Sequence, residues 1–236
     1  MFFKSKHMRK VPSQTGEFYH IYNRGVDKRE IFLDDRDFVR FLTSLREFNN
    51  ESGDAQRDYL KRQLAGKSDF GYPKSDFNSA EKLASVLADL PKLVEIICYC
   101  LNPNHYHFIL KQLEENGISK FMQKLDIGYT KYFNKKNNRT GSLFESKFKS
   151  AHLKTDDQLF WTSGYVNGNS EIHKIAKAAD YKWCSYPDYL NKRPGTLCNK
   201  QIILNQFKDI IRYQEFVGLV IKECQGRKEM QKLILE

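Results

Sequence analysis

One short stretch limits the fold more than any other. Val94–Leu101 and His105–Lys111 are two apolar runs of strand length, separated by Asn102-Pro103-Asn104. Pro103 presets φ for a turn and the flanking asparagines accept turn conformations, so the pair reads as a β-hairpin. Side chains alternate faces along a strand, which puts His105 and His107 on one face and Tyr106 and Phe108 on the other. Two imidazoles about 7 Å apart along a strand can converge on one divalent ion. A His-x-His on its own more often means two half-exposed histidines on a sheet face. The rest of the chain has to decide.

Around the hairpin the pattern alternates between strand and helix. Gly16–Asn23 alternates as a first strand, and a polar connection, Arg24–Arg29, follows it. Asp34–Phe48 carries Phe38, Phe41, Leu42 and Leu45 at helical spacing, with Asp34 and Asp35 as cap candidates. Gly117–Lys135 has the clearest helical stripe: Ile118, Phe121, Met122, Leu125, Tyr129, Tyr132 and Phe133. Ser142–Leu153 reads as a fourth strand, with Lys147 and Lys149 on one face and Phe144 and Phe148 on the other. A further helix, Asp156–Asn169, opens with Thr155 or Asp156 as its cap, and Tyr165 and Asn169 share one face of it. Asn49–Leu90 breaks the pattern with glycines, a proline and mixed charge, and reads as an insertion with a short helix at Ala80–Leu90. From Gln201 the tail is again helical and amphipathic, suited to packing on the α/β body or on a partner chain.

Composition narrows the function. The 236 residues are 40% hydrophobic and 14% aromatic, as expected of a folded protein, and carry a net charge of +10. That charge favours an anionic partner, nucleic acid ahead of membrane because no basic amphipathic anchor stands out. The five cysteines lack paired zinc spacing, and Cys98 and Cys100 sit in an apolar strand as small core residues. No signal peptide and no long apolar run appears, so a cytoplasmic location is expected.

Two imidazoles and an amide oxygen can hold a divalent ion with positions left for phosphate oxygens. A tyrosine hydroxyl beside it can attack the phosphorus and form a covalent phosphotyrosine, keeping the bond energy for rejoining. His105, His107, Tyr165 and Asn169 would be sufficient equipment. Tyr129 is a rival nucleophile, but Phe133 stands where Tyr165 has Asn169, and Tyr129 belongs to the apolar stripe.

At these residues the chain resembles the single-tyrosine HUH transposases of small insertion sequences, especially the REP-associated tyrosine transposases. The resemblance runs in order through Tyr19–Gly25, Cys100–His107, Ile118–Gln123, Gly141–Lys149 and Tyr165–Asn169, and covers roughly Gly16–Asp188. It implies a ferredoxin-like antiparallel sheet with packed helices, spanning 1–190 and interrupted by the insertion at about 49–92. Residues 191–236 remain as a C-terminal helical appendage. It assigns metal binding to His105, His107 and Asn169 with Mg²⁺ or Mn²⁺, and a 5′-phosphotyrosine to Tyr165. It further implies DNA transposition by a homodimer acting on single-stranded DNA near hairpins. Asn169-Ser170 stands where the family often has Asn-Pro, a change expected to affect how the helix ends. For backbone contacts the expected residues are Arg24, Lys147 and Lys149. The competing readings are a catalytically idle or domesticated DNA-binding protein, and a metal-dependent hydrolase that uses water.

Overall fold

The computed structural model describes residues 13–51 and 91–235, with side chains through 227. The insertion expected at about 49–92, with its helix at Ala80–Leu90, falls largely outside the described residues. Four strands are described: β1 Phe18–Arg24, β2 Val94–Asn102, β3 His105–Gln112 and β4 Lys149–Leu153. The principal helices are α1 Asp35–Glu47, α2 Gly117–Lys136 and α3 Asp156–Asn167. After them come short turns α4 Asn169–Ile172, α5 Tyr186–Tyr189 and α6 Gln201–Leu204, then the long α7, Ile210–Leu235.

The sheet order is β2-β3-β1-β4, with every neighbouring pair antiparallel. With α1 between β1 and β2, and α2 between β3 and β4, this is the ferredoxin-like β-α-β-β-α-β arrangement. Alternation divides the strand side chains between two cores. Tyr19, Ile21, Tyr106, Phe108 and Leu110 face α1 and α2, meeting Phe41, Leu45, Phe121, Leu125 and Tyr129. Cys98, Cys100 and Ile109 face the other way, toward Leu159 and Val166 of α3 and Tyr213, Val217 and Ile221 of α7. A register shift between Ile96 and Cys98 marks a bulge in β2. Both faces are covered, which is why β2 and β3 read as nearly continuous apolar runs.

The expected strand over 142–153 is corrected to Lys149–Leu153. Residues 142–148 are irregular, touching the sheet through one bridge between Gly25 and Phe144. Leu143 and Phe144 are both buried, so this stretch does not divide into the lysine-bearing and phenylalanine-bearing faces expected of it. The outer edge of β2 is covered instead by 183–185: Leu101 N donates to Trp183 O and Ser185 N to Tyr99 O, each at 2.9 Å. That contact removes an open edge.

The tail packs on the α/β body. Gly164 and Gly168 lie where α7 crosses the tyrosine-bearing segment: a Cβ on Gly168 would come 2.6 Å from Ile221 Cγ1, and one on Gly164 2.9 Å from Val220 Cγ2. Tyr213 reaches across the same contact, accepting from Asn167 Nδ2 at 2.7 Å and donating to Ser163 Oγ at 3.3 Å. No helix among the described residues is long and apolar enough to cross a membrane.

Candidate active site

The cleft lies on the sheet face that α3 and α7 cover, at the end where that cover stops. Pairing between β1 and β3 sets Tyr22 opposite His107 and Arg24 opposite His105. Alternation then puts His20, Tyr22, His105 and His107 on one face, while Tyr106 between the two histidines is buried on the other. The cleft measures about 370 Å³ and is lined by Tyr22, Arg24, His105, His107, Lys149, Tyr165 and His173, among others.

Each histidine of the pair is oriented through Nδ1. His105 Nδ1 lies 2.6 Å from Asn104 Oδ1, an oxygen that can only accept, so the proton sits on Nδ1. Nε2 of His105 therefore carries a lone pair, and it accepts from Asn102 Nδ2 at 2.9 Å. His107 Nδ1 lies 2.9 Å from His20 Nε2, with the two rings stacked. Burial holds His20 down to about 4, so that ring is neutral at neutral pH. The ring centroids of His105 and His107 are 5.2 Å apart, closer than the spacing of their α-carbons along the strand.

Tyr165 comes from α3, which starts where Thr155 accepts a cap bond from Gln158 N. Its ring stands edge-on to His107 at 5.5 Å and to His20 at 5.9 Å. Burial raises the phenol above its ordinary value, while the Asn169 amide beside it works in the opposite direction. The helix expected through Asn169 ends instead at Asn167, and Asn169 opens the next turn after Gly168. Asn169 still reaches the cleft: its Oδ1 lies 3.4 Å from His105 Nε2 and accepts from Asn102 Nδ2 at 2.6 Å. Asn169 Nδ2 and Ser170 Oγ are buried without a partner. An unpaired buried donor costs about 1–3 kcal/mol and marks a place for an incoming acceptor.

The three cationic candidates separate. Lys149 and Arg24 line the cleft. Arg24 is held there by Glu145 at 2.9 Å, both side chains remaining partly exposed. Lys147 lines a different groove of about 690 Å³, between α2 and 142–148, together with Met122, Phe144 and Asp126. The irregular path of 142–148 is what parts Lys147 from Lys149. Tyr129 is fully buried and donates to Ile31 O at 2.5 Å, so it is a core residue remote in role from the cleft.

Sequence reasoning missed His20, Asn102 and His173, the last with its ring 4.8 Å from that of His105. The alternation of β1 places His20 and Tyr22 together; only the pairing register shows that they meet His107. Asn102 lay in view as a turn residue, with nothing to show that its side chain turns inward.

Among the described residues no three His, Cys, Asp or Glu side chains gather into a metal site. The donor set that is present is His105 Nε2, His107 and Asn169 Oδ1. It fits a divalent cation: neutral imidazoles oriented through the opposite nitrogen, and an amide oxygen 3.4 Å from the first of them.

Residues 79–181 match the family model described as "Transposase IS200 like". This segment, under half of the chain, is similar to IS200-like transposases. It contains β2, β3, α2, β4 and α3, and so every residue of the cleft except those on β1 and the turn after it. One solved structure that the whole chain is similar to is described as "Structure of the REP associates tyrosine transposase bound to a REP hairpin". It is 11% identical, with 79% of this chain and 86% of that chain covered and a TM-score of 0.47. No curated protein matches the chain.

Proposed function

We propose that the cleft cuts and rejoins single-stranded DNA through Tyr165. The observation that carries this reading is the edge-on placement of the Tyr165 ring, 5.5 Å from His107, in a cleft lined by His105, with Asn169 Oδ1 3.4 Å from His105 Nε2. The phenol oxygen attacks the phosphorus of a phosphodiester, the bond from phosphorus to the 3′ oxygen breaks, and that oxygen leaves as a hydroxyl after taking a proton. The DNA 5′-phosphate is then esterified to Tyr165, and attack by another 3′ hydroxyl reverses the step. Because burial raises the phenol, its proton has to be removed as the attack proceeds.

His105, His107 and Asn169 would hold Mg²⁺ or Mn²⁺, with His107 turning Nε2 to the ion while Nδ1 donates to His20 Nε2. A bound cation supplies charge to the scissile phosphate oxygens. Lys149 and Arg24 stand at the rim for neighbouring phosphates. Lys147 would meet the strand only if it continues round the sheet edge into the second groove. The substrate class, hairpin-bearing single strands handled by a homodimer in transposition, rests on the sequence resemblance set out above.

The test is a covalent adduct. Incubated with single-stranded DNA and Mn²⁺, the protein should yield a protein–DNA species whose digest carries a nucleotide 5′-phosphate on the Tyr165 peptide. Tyr165→Phe should bind DNA with unchanged affinity and form no adduct. Unadducted 5′-phosphate ends from Tyr165→Phe would hand the reaction to water.

A further inference from the structure

We infer that Asn102 is a further metal ligand: its amide turns about its terminal bond and gives Oδ1 to the cation that His105 and Asn169 hold. The inference rests on the metal reading of the cleft and adds a residue to it. As the side chains stand, Asn102 Nδ2 donates to both His105 Nε2, at 2.9 Å, and Asn169 Oδ1, at 2.6 Å. A neutral imidazole has one acceptor lone pair, and the Asn102 N–H sits on it. A cation cannot reach His105 Nε2 until that N–H moves away.

The amide has nowhere to go but round. Asn102 ends β2, pairs with His105 in the ladder and is fully buried, so its side chain cannot swing into solvent. Its Oδ1 faces Cys100 Sγ at 3.6 Å. A thiol both donates and accepts weakly. After a half-turn the NH₂ therefore still has a partner, and Oδ1 stands where Nδ2 stood.

The spacing that results is that of a coordination shell. The three atoms form a triangle with sides of 2.6, 2.9 and 3.4 Å. Octahedral bonds of about 2.1 Å give ligand-to-ligand edges of about 3.0 Å, which these sides bracket. Once turned, all three corners are acceptors. At such distances they repel one another, and a cation over the triangle relieves the repulsion.

Mn²⁺ binding to the full chain, followed by calorimetry and by loss of the free-ion paramagnetic resonance signal, tests this without any cleavage assay. Asn102→Ala should weaken Mn²⁺ binding roughly tenfold. Asn102→Asp, close to isosteric, should tighten it roughly tenfold by placing a carboxylate at the same corner. Thermal melting without Mn²⁺ checks that each variant folds. Should Asn102→Ala fail that check, the aspartate variant decides, and no tightening overturns the inference. Equal or tighter binding by Asn102→Ala also overturns it, since the amide would then only obstruct the site. If wild type binds no Mn²⁺, or His107→Ala binds it as well as wild type does, the metal reading itself falls and Asn102 falls with it.

Discussion

Asp126 shows how one side chain can tie the catalytic strands to the opposite core. It projects from α2 and accepts from Tyr106 OH at 2.7 Å and Asn23 Nδ2 at 3.3 Å. Tyr106 separates the two histidines in sequence, so this bond anchors the strand segment that carries them. Burial outweighs both donors and pushes the carboxyl up from 3.8 to about 7. The folded state thus holds a proton here that the unfolded chain has already released between about pH 4 and 7. Stability on this account falls as pH rises through that window, and the full penalty is present above it. A shift of this size corresponds to at most about 4 kcal/mol. Asp126→Asn removes the titration, so urea unfolding should show it gaining on wild type between pH 5 and pH 8. A constant difference between the two proteins across that range would mean that the carboxyl does not titrate there.

At the scale of elements, α3 is positioned from both ends. Thr155 caps its start, and its last turn lies against α7 through Gly164, just before Gly168 makes a second contact. Gly168→Ala drives a methyl into Ile221 and should cost about 1–3 kcal/mol, the usual range for overpacking. It should also slow adduct formation, because Tyr165 and Asn169 flank that glycine. Adding Ile221→Ala should recover part of both losses in a double-mutant cycle; strict additivity would show that the contact is not what matters. Much of this level was legible in the sequence. The stripe from Ile118 to Phe133 became α2 and the Asn-Pro-Asn turn became the hairpin, because periodicity there agrees with burial. It failed at 142–148, where Ser142 Oγ donates to Phe144 O and Glu145 N to Arg24 O, and the chain follows those bonds rather than a ladder. His105, His107, Tyr165 and Asn169 could be singled out by spacing only together with the family resemblance. His20 and Asn102 could not, since their roles depend on which strand lies beside which.

For the molecule as a whole, the sheet separates two tasks. One face is committed to a closed apolar core with α1 and α2; the other shares its length between a second core and the cleft. Tyr165 meets His20 and His107 of its own chain, and α3 is built into that chain's second core through Leu159 and Val166. Tyr165, as the proposed nucleophile, is accordingly expected to serve the histidines of its own chain. Mixing His107→Ala protein with Tyr165→Phe protein, under conditions that let subunits exchange, should restore no adduct. Recovery to a substantial fraction of wild-type yield would show that the tyrosine crosses to a partner.

The contact between α7 and the glycines of the tyrosine segment also bears on how variants of this chain should be interpreted. No described α7 side chain lines the cleft, yet Val220 and Ile221, more than fifty positions downstream of Tyr165, pack against the glycines on either side of it. The address of the reactive oxygen is written in two places, one next to the tyrosine and one far along the chain. A shortened protein lacking the last helix would behave as though its active site had been mutated, with every residue of that site intact. Changes accumulating in the tail are, on the proposed reading, changes in aim.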